Sequence, residues 1–338
     1  MSTYATEKKY IIAVDAMGGD NAPEEIIKGA LLAVESNDVE IILVGDEDKM
    51  SKYLPTDPLS NLHCVYSYGV VNEDEQPLEA VKSKPKASVF VCADLVKEGR
   101  ADAFVTMGST GAAMAAGVLK IGNIKGIERP SLGGPFLGLS PKTILIDLGT
   151  SIDNRPSQLL NYAVLGSTFS RVFMGIENPR VGLLSVGSEE GKGNRLVKET
   201  YPLLQKSGLN FIGNVEGFDI PLGKADVVVC DGFIGNILMK FSEGLGVSVF
   251  DYIRSSGLSD NPTENGIVEA LYSMTNFVEH VGGGPLLGLD GVAIVGHGRS
   301  KSASVSAAIK LAKTVLNLDL VDLIEKDLNL VRSRLNVY

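Results

Sequence analysis

Short apolar runs, each closed by glycine or a polar residue, alternate with segments of helical spacing from one end of this 338-residue chain to the other. A strand buried on both faces reads as an unbroken aliphatic run, and consecutive parallel strands need a crossover, usually a helix. The alternation therefore predicts an α/β chain with a mostly parallel sheet. Strands are expected over 10–15, 40–44, 103–106, 143–147, 181–185, 226–230 and 292–295. Helices are expected over 23–35, 88–98, 112–120, 156–174, 194–206, 236–257 and 302–318, the last with Val305, Ile309, Ala312 and Leu316 on one apolar stripe. No Pro/Ser-rich linker or internal repeat interrupts the pattern.

The segments that follow those strands are AMGGD, GDED, MGSTG, LGTSI, VGSEEGKGN, DGFIGN and GHGRS, and they hold 13 of the 38 glycines in 39 residues. In an open α/β sheet, ligands bind beyond the carboxyl ends of the strands, where glycine admits close backbone approach and helix N-termini offer N–H groups to anions. The clustering points to a ligand crevice, although tight βα turns alone also favour glycine. The net charge of −10 excludes broad nucleic-acid binding, which needs a basic surface. Cys64, Cys92 and Cys230 are odd in number and far apart, suggesting neither a disulfide framework nor a thiolate metal site. No leader-like segment or run of 18 apolar residues is present, so a reducing cytoplasm is expected, with peripheral membrane contact left open.

Several familiar signatures fail. No GxGxxG follows the first strand, GSEEGK at 187–192 is one residue short of a phosphate-binding Walker loop, and neither GxSxG nor HExxH occurs. His63, His280 and His297 lack metal-ligand spacing, so no metal or redox cofactor is expected. Four loops carry usable side chains. VGSEEGKGN sets Lys192 between glycines, with Gly193 and with Asn194 as a helix N-cap; this is an anion cradle or an exposed turn. CDGFIGN offers Asn236 as an oxyanion donor and Asp231, beside Gly232, as a helix cap. MGSTG places Gly108, Ser109, Thr110 and Gly111 at a helix start, suited to phosphate or to ordinary capping. GHGRS sets His297 before Gly298 and Arg299, for phosphate binding, proton transfer or a plain surface role. Cys230 ends an apolar run without a histidine nearby in sequence and is expected to be a buried small hydrophobe. Asp20 or Asn21 is expected to cap the helix that begins near Pro23.

The ordered motifs VDAMGGDNAPEEIIKGA, GSTGAAMAAG, GSEEGKGNRLVKE, NVEGFDI, ADVVVCDGFIGN and GGGPLLGLDGVAIVGHGRS closely resemble the PlsX family, the phosphate acyltransferases of bacterial phospholipid synthesis. The resemblance runs from about residue 11 to 318. It implies a three-layer α/β/α fold similar to isocitrate and isopropylmalate dehydrogenases and to phosphotransacetylases. One domain would span 1–338, with a helical excursion near 245–285. It also implies a cytosolic homodimer converting acyl-[acyl-carrier-protein] and inorganic phosphate to acyl phosphate, which feeds a membrane glycerol-3-phosphate acyltransferase. Lys192, Asn194, Asp231, Gly232, Asn236 and His297 match the family motifs; Ser109, Thr150, Ser151 and Phe218 depart from them. The segment 266–281, usually basic in the family, has no Lys or Arg here, and Ile267, Leu271, Met274, Phe277 and Val281 are expected to pack in a core or dimer.

Phosphate is itself a nucleophile, so direct attack on a thioester needs positioning and oxyanion stabilisation rather than a cofactor. The expected roles are phosphate binding by Lys192 and nearby N–H groups, oxyanion stabilisation by Asn236, and assistance by His297. An acidic carrier protein would need a local basic patch: Lys82, Lys84 and Lys86, or Lys120, Lys125 and Arg129, or Arg299 and Lys301. Two other readings stand beside this one, a phosphotransacetylase-like enzyme using short acyl-CoA and a non-catalytic protein that binds acyl carrier protein.

Overall fold

Aliphatic runs that alternate with amphipathic segments build the computed structural model, which describes residues 9–35, 38–72, 74–255, 266, 274, 275, 277 and 281–336. The chain begins with β1 (Tyr10–Asp15), α1 (Glu24–Val34), β2 (Val39–Gly45), α2 (Glu47–Met50) and β3 (Leu62–Tyr66). Next come α3 (Pro77–Ser83), α4 (Ser88–Lys97), β4 (Ala103–Thr106) and α5 (Thr110–Ala116), which widens into a π-helical turn over Gly117–Ile121. A second set comprises β5 (Ser131–Pro135), β6 (Ile144–Ile146), α6 (Pro156–Phe173), β7 (Val181–Leu184), α7 (Arg195–Lys206) and β8 (Phe211–Val215). It continues with β9 (Val227–Val229), α8 (Gly232–Ser255) and β10 (Gly284–Leu287), after which come β11 (Val292–Val295), α9 (Ser302–Asn317) and α10 (Leu320–Leu335). Two compact units result: Met1–Gly122 with Gly291–Asn317, and Asn123–Asp290 with Leu318–Tyr338.

In the first unit five parallel strands lie in the order β3-β2-β1-β4-β11. The chain steps outward from β1 to β3 and then returns to the opposite side of β1 as β4. The connection therefore reverses between β1 and β4, the position at which open α/β sheets form crevices. β4 and β11 are wholly buried, which is why AFVT and VAIV carry almost no polar residue. α1 packs against α9, and a Cβ on Gly29 would lie 2.5 Å from that of Val305, so glycine permits this approach. On α9 the buried stripe runs through Val305, Ala308, Ile309, Ala312 and Val315; Leu316, expected on it, is half-buried because the helical repeat carries that face through Val315 instead.

In the second unit the order is β10-β5-β6-β9-β7-β8, with β5 antiparallel to both β10 and β6 and the other pairs parallel. From β6 the chain runs outward through α6, β7 and α7 to β8, and then comes back to insert β9 between β6 and β7. The carboxyl ends of β6, β9 and β7 consequently lie side by side. α6 covers β6 and β9, with α7 and α10 packed beside it, while α8 starts directly after β9. Among the described residues α8 is the one helix long and apolar enough to cross a membrane, though it also carries Lys240, Glu243, Asp251 and Arg254. Of the expected apolar segment 266–281, Ile267 and Leu271 lie outside the described residues. The Met274 and Thr275 carbonyls accept hydrogen bonds from the Gly138 N–H and the Ser242 hydroxyl.

Candidate functional site

The second unit gathers three strand-end loops around one buried carboxylate. Asp147, the residue after β6, is fully buried and accepts from the Gly149 N–H at 3.0 Å, the Thr150 N–H at 2.9 Å, the Thr150 hydroxyl at 2.7 Å and the Ser151 N–H at 2.9 Å. Burial pushes its carboxyl up from the ordinary range, and those hydrogen bonds oppose the shift. The loop they shape is the seat of α8. The Gly232 N–H donates to the Ser151 carbonyl at 2.8 Å, and a Cβ on Gly149 would meet the Asn236 side chain at 3.1 Å. Thr150 thus adds a hydroxyl donor to Asp147. Arg129, expected in a surface patch, is exposed and donates from Nη1 to the Ser151 hydroxyl at 3.2 Å.

α8 starts at Gly232, four residues ahead of the expected Asn236, so Asn236 lies one turn inside an exposed helix face rather than at its start. The helix begins early because the Asp231 carboxylate caps it, accepting from the Ile234 N–H at 2.9 Å. Capping is thus the observed role of Asp231, as expected. Cys230 is buried beneath this turn, its thiol 3.7 Å from the Asp147 carbonyl, and burial pushes its pKa well up. A thiol held protonated is a poor nucleophile. A Cys230→Ser variant is therefore expected to keep turnover within about threefold of wild type. An inactive variant, together with an acyl-enzyme trapped on the wild type by mass spectrometry, would overturn this.

The loop after β7 presents Lys192. Asn194 caps α7 by accepting from the Val197 N–H at 2.9 Å, leaving the N–H groups of Arg195 and Leu196 without intrahelical partners. Gly193 takes φ +108°, a conformation other residues rarely adopt, and this turns the chain from Lys192 into the helix. The loop is pinned from behind: the buried Asn214 of β8 donates to the Glu189 carbonyl at 2.8 Å, and the Lys192 N–H donates to the same oxygen at 3.0 Å. Lys192 is exposed, with no ion pair among the described residues. Gly193 and Asn194 on one side and Asp231 and Ile234 on the other line a single cavity of about 170 Å³. The β7 and β9 loops thus share one concavity.

The first unit holds the remaining candidates at the ends of β1, β4 and β11. The Thr106 hydroxyl donates to the buried Asp15 carboxylate at 2.7 Å and accepts from the Gly108 N–H at 3.0 Å. Burial raises the Asp15 pKa. The Ser109 hydroxyl caps α5 by accepting from the Ala112 N–H at 3.5 Å, ahead of Thr110 and Gly111. The Asp20 N–H donates to the Gly298 carbonyl at 2.8 Å, and the Arg299 N–H donates to His297 Nδ1 at 3.2 Å. A neutral His297 then carries its proton on Nε2. Neither Asp20 nor Asn21 caps α1: Pro23 occupies that position without a side-chain bond, while Asn21 reaches across to the carbonyls of Arg299 and Ser300. The expected site residues therefore divide into two clusters, Lys192, Gly193, Asn194, Asp231, Gly232 and Asn236 in one unit, and Gly108 to Gly111, His297 and Gly298 in the other.

Asp147 and Asn214 are not among the site residues expected from the sequence. Asp147 did carry a signal: it ends TILID as Asp15 ends YIIAVD, a carboxylate at the carboxyl end of a buried strand. Asn214 is recognisable only from its contact with the Glu189 carbonyl.

The model of the fatty acid synthesis protein family matches residues 10–322. A phosphate acyltransferase of Desulfitobacterium hafniense is 44% identical over 325 residues, covering 94% of this chain and 97% of that protein. One from Elusimicrobium minutum is 44% identical over 317 residues, covering 90% and 92%. In fold, the chain is similar to a phosphotransacetylase from Streptococcus pyogenes (TM-score 0.60, 18% identity, 92% of this chain and 95% of that one). It is also similar to a branched-chain phosphotransacylase from Enterococcus faecalis (TM-score 0.53, 14% identity, 91% and 99%). With a family model spanning nearly its whole length and relatives above 40% identity, this chain belongs to the fatty acid synthesis protein family.

Proposed function

We propose that the protein is a phosphate acyltransferase, forming acyl phosphate from an acyl-carrier-protein thioester and inorganic phosphate. The observation that carries this reading is the shared concavity of the second unit, where the Lys192 loop and the first turns of α8 face one cavity. A phosphate oxygen forms the new C–O bond while the carbonyl electron pair moves onto oxygen. Collapse of that oxyanion breaks the C–S bond, and sulfur leaves as the carrier thiolate. Lys192, the Gly193 N–H and the open first turn of α7 hold the phosphate dianion. The Asn236 amide donates to the oxyanion. In the first unit, His297, the Thr110 and Gly111 N–H groups and the Gly298 turn are further anion-binding candidates. Asp231 and Gly232 support the site by fixing the start of α8.

The same reading makes the protein a cytoplasmic homodimer that touches the membrane peripherally and supplies a membrane glycerol-3-phosphate acyltransferase. Docking of an acidic carrier falls to fewer cations than the sequence suggests. Lys84 pairs with Glu75 at 2.5 Å and Lys120 pairs with Asp94 at 3.0 Å.

The test compares palmitoyl-carrier protein with acetyl-CoA, each with phosphate, scoring acyl phosphate by hydroxamate trapping and thiol release by a chromogenic disulfide. One thiol per acyl phosphate is expected, with the carrier substrate preferred and its kcat/KM falling as salt screens the docking charges. Preference for acetyl-CoA would select the phosphotransacetylase-like reading. Carrier binding without acyl phosphate would select the non-catalytic one.

A further inference from the structure

The cavity shared by the β7 and β9 loops is mainly aliphatic: Leu159 of α6, Leu183 of β7, Leu196 and Val197 of α7 and Ile234 of α8 line it, and of the polar residues on its wall, Asn194 and Asp231 cap α7 and α8 while Ser185 has no such role. The Ser185 hydroxyl is buried and has no hydrogen-bond partner among the described residues. A polar atom left so is costly unless a ligand completes it. Inorganic phosphate would accept from that hydroxyl but does not explain the wall, because an anion gains nothing from aliphatic side chains. The volume, about 170 Å³, compares with apolar cavities of about 150 Å³ that take a benzene-sized guest. It therefore suits about six carbons. Val186 and Ile234, at 82% and 37% exposed, mark where the cavity meets solvent, so a chain can enter between the Lys192 loop and the first turn of α8.

We propose that this cavity is an acyl-chain subsite that takes about the first six carbons of a straight chain, with the Ser185 hydroxyl donating to the acyl carbonyl. The inference rests on the acyl phosphate reading for the identity of its ligand, and it adds a place and a length. An acetyl group fills little of the cavity, whereas a longer acyl group buries methylenes in it. The subsite thus favours long-chain over two-carbon donors, and carbons beyond the sixth lie outside it.

The probes are 2-oxoalkylphosphonates carrying acyl groups of about two to twelve carbons, in which a methylene replaces the bridging oxygen of an acyl phosphate. Calorimetry on the full chain reads binding without requiring turnover. Affinity is expected to rise about threefold to fourfold per added carbon up to about six carbons and then level off. Ile234→Trp, at the exposed rim, should flatten that rise, while Ser185→Ala should lower affinity across the series by about threefold to tenfold with the slope kept. Val186→Trp provides a second rim block should Ile234→Trp lose its far-ultraviolet dichroism. A flat series in the wild type, or a slope unchanged in both rim variants, overturns the proposal. If the chain-length slope is found but no acyl phosphate forms from carrier thioester and phosphate, the subsite stands and the acyltransferase reading falls.

Discussion

Asn236→Ala is expected to lower kcat for acyl phosphate formation by about 10²–10³-fold, the usual effect of deleting one oxyanion donor. The substitution should be structurally mild. Asn236 is exposed, it lies on α8 rather than in a loop, and alanine is a better helix former than asparagine. Its amide is aimed by packing, since the Asn236 side chain lies against Gly149 in the loop that Asp147 holds. An oxyanion donor acts in the transition state, so the loss should appear in kcat with little change in KM. Lys192→Ala should divide differently, raising the KM for phosphate about tenfold or more, because the ammonium meets phosphate before and during attack. Steady-state kinetics on variants with wild-type melting curves checks both. If both variants form acyl phosphate at near wild-type rates, Lys192 and Asn236 are not the machinery.

The second large effect sets two glycines of one helix against each other. Gly235 and Gly244 both lie in α8, where helix propensity alone predicts that alanine stabilises each by about 0.5–1 kcal/mol. Their surroundings differ. A Cβ on Gly235 would overlap the Asp147 carbonyl oxygen and approach the Cys230 sulfur, whereas one on Gly244 would meet nothing within 4 Å. Gly244→Ala should therefore raise the denaturation midpoint. Gly235→Ala should lower it, as the overlap costs about 1–3 kcal/mol or more and exceeds the gain in propensity. The only relief is movement of α8 away from the Asp147 loop, which would also carry Asn236 off its seat. Gly235→Ala is thus expected to lose both stability and turnover. A variant as stable as wild type would mean that α8 does not sit on this loop.

The elements read from sequence are those with a strong local signal. β1, β4 and β11 fall at the expected residues because strands buried on both faces must be aliphatic throughout. β3 and β8, the outermost strands of their units, escaped because LHCVY and FIGNV are only partly buried and mix polar with apolar residues. β5 escaped for the opposite reason. SLGGP is fully buried but ends in Gly133, Gly134 and Pro135, types depleted from strands, and it pairs there because glycine allows the Ile146 side chain to pack over Gly133. α10 has a helical stripe in Leu320, Ile324, Leu328 and Val331, yet it is absent from the expected set, which stops at residue 318.

For the site, the sequence by itself determined which loops follow buried strands and which of them carry an ammonium, an amide and capping residues. These are local properties of composition and spacing. What the loops do to one another came only from tertiary structure: β9 inserts between β6 and β7, Asp147 folds the loop that seats α8, and Arg129 and Asn214 act on loops far from them in sequence. Strand order and buried hydrogen bonds link residues separated by tens of positions, and no local pattern records them. The glycines show the same division. Their clustering after strands is visible in the chain, but that Gly235 must lack a Cβ while Gly244 need not depends on which backbone lies across from each.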